Sequence, residues 1–123
     1  ECSMRSALQS YQAVATPFGS QRELEADLLL QAASRLQAIK DGWGGAKAKL
    51  DEALLFNRRL WSIFLSSATG GTDPLPTDAR QDVANLGLFV IHQTESALAD
   101  PKLEQLSTLI SINRELAAGL RGQ

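Results

Sequence analysis

Few side chains in this sequence are equipped for chemistry. His92 is the one histidine and Cys2 the one cysteine. A lone cysteine forms no internal disulfide, and a histidine with no ligand at metal spacing does not build a zinc site. His92 falls opposite the apolar side of its helix, where solvation explains it. Glu23 and Asp27 stand one helical turn apart. Such a pair can do acid–base work, but capping and surface solvation account for it without a reaction. Ser62, Ser66 and Ser67 have no histidine near them in sequence, and Gly42-Trp43-Gly44-Gly45 lacks the lysine and the strand–loop–helix setting of a phosphate loop. The expectation is a protein that is not an enzyme and holds no metal or cofactor.

The elements that carry these residues are helical. Twenty leucines and seventeen alanines stand against eight valines and isoleucines, a balance that disfavours strands. At 123 residues the chain suits a single domain, with Glu1, Cys2 and Ser3 read as an extension ahead of a native start at Met4. Glycine and proline break the sequence at Thr16-Pro17-Phe18-Gly19, at Asp41 to Gly45 and at Thr69 to Pro76. Five helical segments are predicted: a short one over Ser6 to Ala15, then Gln21–Lys40, Ala46–Ala68, Asp78–Leu98 and Pro101–Ala118. Ser20 with Glu23 reads as a capping box, Thr77 precedes the fourth segment, Asp100 caps Pro101, and Gly119 ends the last. Short connections make these an all-α, small antiparallel bundle.

Apolar patterning distinguishes the segments. In the second, Leu24, Leu28, Leu29, Ala32, Leu36 and Ile39 line one side. In the third, Leu50, Ala53, Leu54, Phe56, Leu60, Trp61, Ile63, Phe64 and Leu65 cover an arc of roughly 200°, beyond the ~100° stripe of a surface helix. The fourth is apolar nearly all round from Leu86 to Ile91. Two such helices either form the core, leave a surface for a partner, since large apolar patches mark interaction sites, or line a small-molecule pocket. Asn57 and Asn113 interrupt the apolar arcs of the third and fifth segments. Each is either an interhelical bond that sets packing register or a polar fixture in a groove.

Twelve basic and fourteen acidic residues leave no cationic face for nucleic acid, and no apolar run approaches the roughly 20 residues that span a bilayer. Arg58 and Arg59 beside Trp61 therefore read as protein-interface residues rather than an RNA platform.

Ser10-Tyr11-Gln12-Ala13, Ser20-Gln21-Arg22-Glu23-Leu24-Glu25, Asn57-Arg58-Arg59-Leu60-Trp61, Leu75-Pro76, Leu86-Gly87-Leu88-Phe89-Val90 and Ile112-Asn113-Arg114 follow one another along the chain. In type and order they resemble the FlaF family of flagellar biosynthesis regulators, from Met4 onward. The departures are the Gly42-Trp43-Gly44-Gly45 turn and Phe56, where tryptophan is as readily expected. The resemblance implies a cytoplasmic flagellin-binding export chaperone that promotes flagellin synthesis, without membrane insertion or direct nucleic-acid binding. Its alternative is an adaptor that binds FlbT and controls flagellin messenger translation without holding flagellin. The expected mechanism is capture of an apolar helix from a flagellin terminus in a groove between the third and fourth segments. Trp61, Phe64 and Phe89 are the expected apolar contacts, Arg58 and Arg59 the rim, and Asn57 the polar fixture. Tyr11 and the first segment are expected to close over the groove when it is empty.

Overall fold

A computed structural model describes residues 19–45, 47–69 and 77–122 of the chain. They form four helices: α1 Gly19–Asp41, α2 Lys47–Thr69, α3 Thr77–Ala99 and α4 Leu103–Leu120. The short first segment expected over Ser6 to Ala15, and Tyr11 with it, lie outside the described residues.

The helices run up and down around a square. Asp27 bonds Arg121 and Gln37 meets Arg114, so α1 and α4 are antiparallel neighbours. Asn57 meets Thr94 and, two turns on, Leu65 lies against Gly87, which pairs α2 with α3 in the same sense; Arg58 also reaches Glu95. Arg35 lies over the ring of Phe56, 4.2 Å from its centroid, joining α1 to α2. The α3–α4 side is the most thinly packed of the four, and Gln105 Nε2 donates to Ser96 Oγ across it at 2.9 Å. That leaves α1 diagonal to α3 and α2 diagonal to α4.

The core runs through the inner lines of all four helices. Ala26, Leu29, Ala33 and Leu36 of α1 are buried, with Leu50, Leu54, Leu60 and Trp61 of α2, Val90 and Ala97 of α3, and Leu106, Leu109, Ile110 and Ala117 of α4. Small residues allow close approach between helices. At Gly87 an added Cβ would stand 3.3 Å from Leu65 Cδ1, so α2 and α3 nearly touch there.

Several helix ends depart from expectation. Asp100 does not cap α4: its N–H donates to Ser96 O at 2.9 Å and closes α3 instead. The cap of α4 is Lys102, with extended backbone and no side-chain cap bond. Gly119 stays inside α4, and Gly122, at φ 77°, supplies the left-handed residue beyond Arg121. α1 begins at Gly19, one residue ahead of the expected Ser20 cap. In the α1–α2 turn, Gly44 takes φ 101°, a conformation that a side chain would strain.

Candidate functional site

At the centre of the bundle a chain of polar side chains links three helices. Trp61 Nε1 donates to Asn113 Oδ1 at 2.9 Å. Asn113 Nδ2 donates to Asn57 Oδ1 at 2.7 Å. Asn57 Nδ2 donates to Thr94 Oγ1 at 3.3 Å, and the Thr94 hydroxyl donates to Val90 O at 2.6 Å. Asn57, Asn113 and Thr94 have no solvent exposure and Trp61 almost none. Each amide uses both its donor and its acceptor side within the chain, so the cost of burying them is met by bonds rather than by water.

This arrangement decides between the two readings of the asparagines. Asn57 is an interhelical bond that fixes the register of α2 against α4 and α3, and it presents nothing to a groove. Trp61 is likewise core: its indole is buried, hydrogen-bonded and edge-on to Phe64 with centroids 5.7 Å apart. Thr94 carried no signal beyond a β-branched residue inside a helix. Its hydroxyl returns to the carbonyl four residues back, a recurrent habit of helical threonine that sequence reading can look for.

The other expected contact residues are dispersed. Phe64 packs half-buried against the core. Arg58 reaches Glu95 at 3.8 Å, and Arg59 is exposed on the outer side of α2. Between α2 and α3, the close approach at Gly87 and the bond from Asn57 to Thr94 occupy the space where a groove was expected.

Apolar surface does remain, on two seams. Phe89 is 45% exposed and stands two turns before Ser96, on the face of α3 that meets α4. Ile112, two turns after Gln105, lies at the same level of α4, and Leu86, Ile112 and Leu116 are each half-buried against the core. On the opposite side of the bundle, Leu24 is 58% and Ile63 55% exposed. The Arg35–Phe56 contact sets the register there and brings Leu28 level with Ile63. Leu88, also exposed, lies on the outer side of α3.

Chemistry elsewhere on the described surface is sparse. His92 and Glu23 are exposed, and Asp27 pairs with Arg121. Among the described residues no group of three or more His, Cys, Asp or Glu side chains comes together. A bowl of about 570 Å³ at the α1–α2 turn is lined by Ile39, Trp43, Lys47, Lys49, Leu50 and Pro101 among others, and the described residues that line it include no carboxylate, histidine, serine or cysteine. No described helix is long and apolar enough to cross a membrane.

A family model described as flagellar protein FlaF matches residues 7–120. The chain belongs to the FlaF family. Comparison with curated proteins and with solved structures gave no match. The FlaF match covers all four helices and both seams, so the polar centre and the exposed apolar residues all lie within the family domain.

Proposed function

We propose that this FlaF-family chain is a flagellin-binding export chaperone that also favours flagellin synthesis, and that flagellin docks on the α3–α4 seam. The observation that carries this reading is Phe89. It is a large apolar ring left half in solvent on a bundle whose central Trp61, Asn113 and Asn57 are buried and hydrogen-bonded to one another. Such a side chain gains by being covered, and a helix from a flagellin terminus has the apolar stripe to cover it.

The contact would run along Leu86, Phe89, Ile112 and Leu116, with the guest helix contributing residues at i, i+3, i+4 and i+7. Trp61 and Asn57 support this surface from behind by holding α2, α3 and α4 in register. Arg58 and Arg59, on α2, stand away from the seam and serve solubility or a second contact rather than its rim. Burial of several half-exposed residues gives affinity without chemistry, and release at the export gate needs no bond to break.

Calorimetric titration with monomeric flagellin tests the proposal, with FlbT titrated separately. Binding of flagellin near one to one, with a negative heat-capacity change from apolar burial, supports it. Clear binding of FlbT with none of flagellin would replace it by the adaptor reading.

A further inference from the structure

Along the α3–α4 seam, charge of one sign accompanies the apolar residues. From Gln81 to Asp100 the chain has no lysine or arginine. On α4 both arginines turn the other way, Arg114 to Gln37 and Arg121 to Asp27, each on α1. Lys102, in the turn between the two helices, stands beside Asp100 at 4.0 Å. Glu95 lies on the opposite flank of α3 and reaches Arg58 of α2. Glu104 and His92 are exposed on the outer sides of their helices. Two carboxylates are left on the seam itself, Asp82 two turns before Phe89 and Glu115 one turn after Ile112. Neither side chain has an ion-pair or hydrogen-bond partner among the described residues.

We infer that the helix this seam takes carries lysine or arginine along the border of its apolar stripe, set against Asp82 and Glu115. This rests on the seam being the docking surface, as proposed above, and narrows the guest from any apolar stripe to a basic-flanked one.

The contact between Ser96 and Gln105 sets the levels across the seam. Phe89 and Ile112 each lie seven residues from that contact and stand opposite one another. By the same count Leu86 comes level with Glu115, and Asp82 lies one turn further along α3. The carboxylates therefore gather at the end remote from the α3–α4 turn, about 5–10 Å along the axis from Phe89. A guest helix lying along the seam covers Phe89 with one apolar residue. One to two turns along its own chain, another of its side chains comes between Asp82 and Glu115. Docking withdraws water from these two carboxylates, which raises the cost of leaving them without a countercharge. A lysine or arginine supplies it, with a stem that lies on Leu86 and Leu116 while the charged end reaches the acids. An apolar seam alone accepts any amphipathic helix, whereas one bordered by acid rejects guests of its own sign.

Two synthetic helical peptides test this against the full chain. They share one leucine stripe, bordered by lysine in the first and by glutamate in the second. Titrated at low salt, the lysine-bordered peptide should bind roughly tenfold tighter, through attraction in one case and repulsion in the other. Added salt should shrink that ratio. In the double variant Asp82→Lys with Glu115→Lys the preference should reverse. Neither carboxylate holds a bond in the described bundle, so the variant should keep its helices by far-ultraviolet dichroism. Glu23→Lys with Glu52→Lys changes net charge equally, at exposed positions of α1 and α2, and should leave the preference in place. Equal binding of the two peptides, or equal loss of preference in the two double variants, would overturn the inference. Phe89→Ser separates that failure from failure of the seam. Peptides that bind alike, and both weaken without the ring, leave the docking surface standing without charge selectivity. If neither peptide binds, or neither responds to Phe89→Ser, docking on this seam fails and the basic-flanked guest fails with it.

Discussion

Asn57 and Asn113 are wholly buried, while Phe89 and Ile63 stand half in water on helices of the same bundle. A fold driven by apolar burial alone would exchange them. The contrast is consistent because the two regions answer to different constraints. The interior amides are bonded to each other and to Trp61 and Thr94, so each buried amide nitrogen and oxygen has a partner, which forces one alignment of α2 against α4. Leucine packing would tolerate a helix sliding by a turn, whereas a chain of directed bonds does not. The outer apolar residues make no comparable bond, contribute little to that alignment and remain available to a ligand. Polar groups inside specify the fold, and apolar groups outside are spare.

The largest effect is expected from breaking the interior. Trp61→Ala removes a buried ring, at a cost of about 3–5 kcal/mol. It also strips Asn113 Oδ1 of its donor, which adds roughly 1–3 kcal/mol for an orphaned buried acceptor. Urea denaturation followed by far-ultraviolet dichroism measures the sum. A loss under about 1 kcal/mol would show that the indole is not held as described, since even partial burial of a tryptophan exceeds it.

Asn113→Leu comes next. It leaves Trp61 Nε1 without an acceptor and Asn57 Oδ1 without a donor, each costing roughly 1–3 kcal/mol. The sharper experiment is the cycle that adds Asn57→Leu. Because the two asparagines share a 2.7 Å bond, the double variant loses less than the two single losses added together, with a coupling of about 0.5–3 kcal/mol. Strict additivity would mean that the amides act independently and do not set register.

The helices themselves were legible in the sequence because glycine and proline punctuate it, and each described helix falls within three residues of expectation at either end. The errors cluster at helix ends, at Asp100 and Gly119, because local sequence does not decide whether a turn-forming residue stops a helix, starts the next or is carried inside one. Rotation of each helix about its axis was less legible. Leu24 shares a periodic face with Leu28 and Leu36, yet the buried line of α1 passes through Ala26, Leu29, Ala33 and Leu36, and Leu24 is left outside it. The wide apolar arc of α2 made Trp61 and Ile63 equivalent by pattern, although one is core and the other half exposed. The pairing of Asn57 with Asn113 joins residues 56 positions apart across a diagonal, and no periodicity within one helix reports it.

A smaller effect probes the contact between the two regions. Gly87→Ala places a Cβ 3.3 Å from Leu65 Cδ1. Leu65 is half-buried, so its side chain can turn aside by the few tenths of an ångström required. Replacing a helical glycine by alanine recovers up to about 1 kcal/mol of propensity. The expected outcome is a slight gain in stability in the same urea assay. A clear loss would show that α2 and α3 are packed too tightly at this level for Leu65 to yield, and that the α2–α3 contact is as demanding as the polar centre.

Phe89→Ser should have the smallest effect on stability and the most selective effect on function. The ring is 45% exposed and makes none of the interior bonds, so the variant should stay within about 0.5 kcal/mol of the parent in urea, as surface changes usually do. Trp61 and the asparagines beneath it are untouched. If flagellin docks on the α3–α4 seam, the same change removes the largest exposed apolar group there and weakens binding by about 1–2 kcal/mol, the scale of an interface anchor. Calorimetry of parent and variant side by side separates the two quantities. Ile63→Ser, on the opposite seam, should match it in stability and leave flagellin affinity unchanged. Were Ile63→Ser the variant that lost affinity, the guest would sit against α1 and α2.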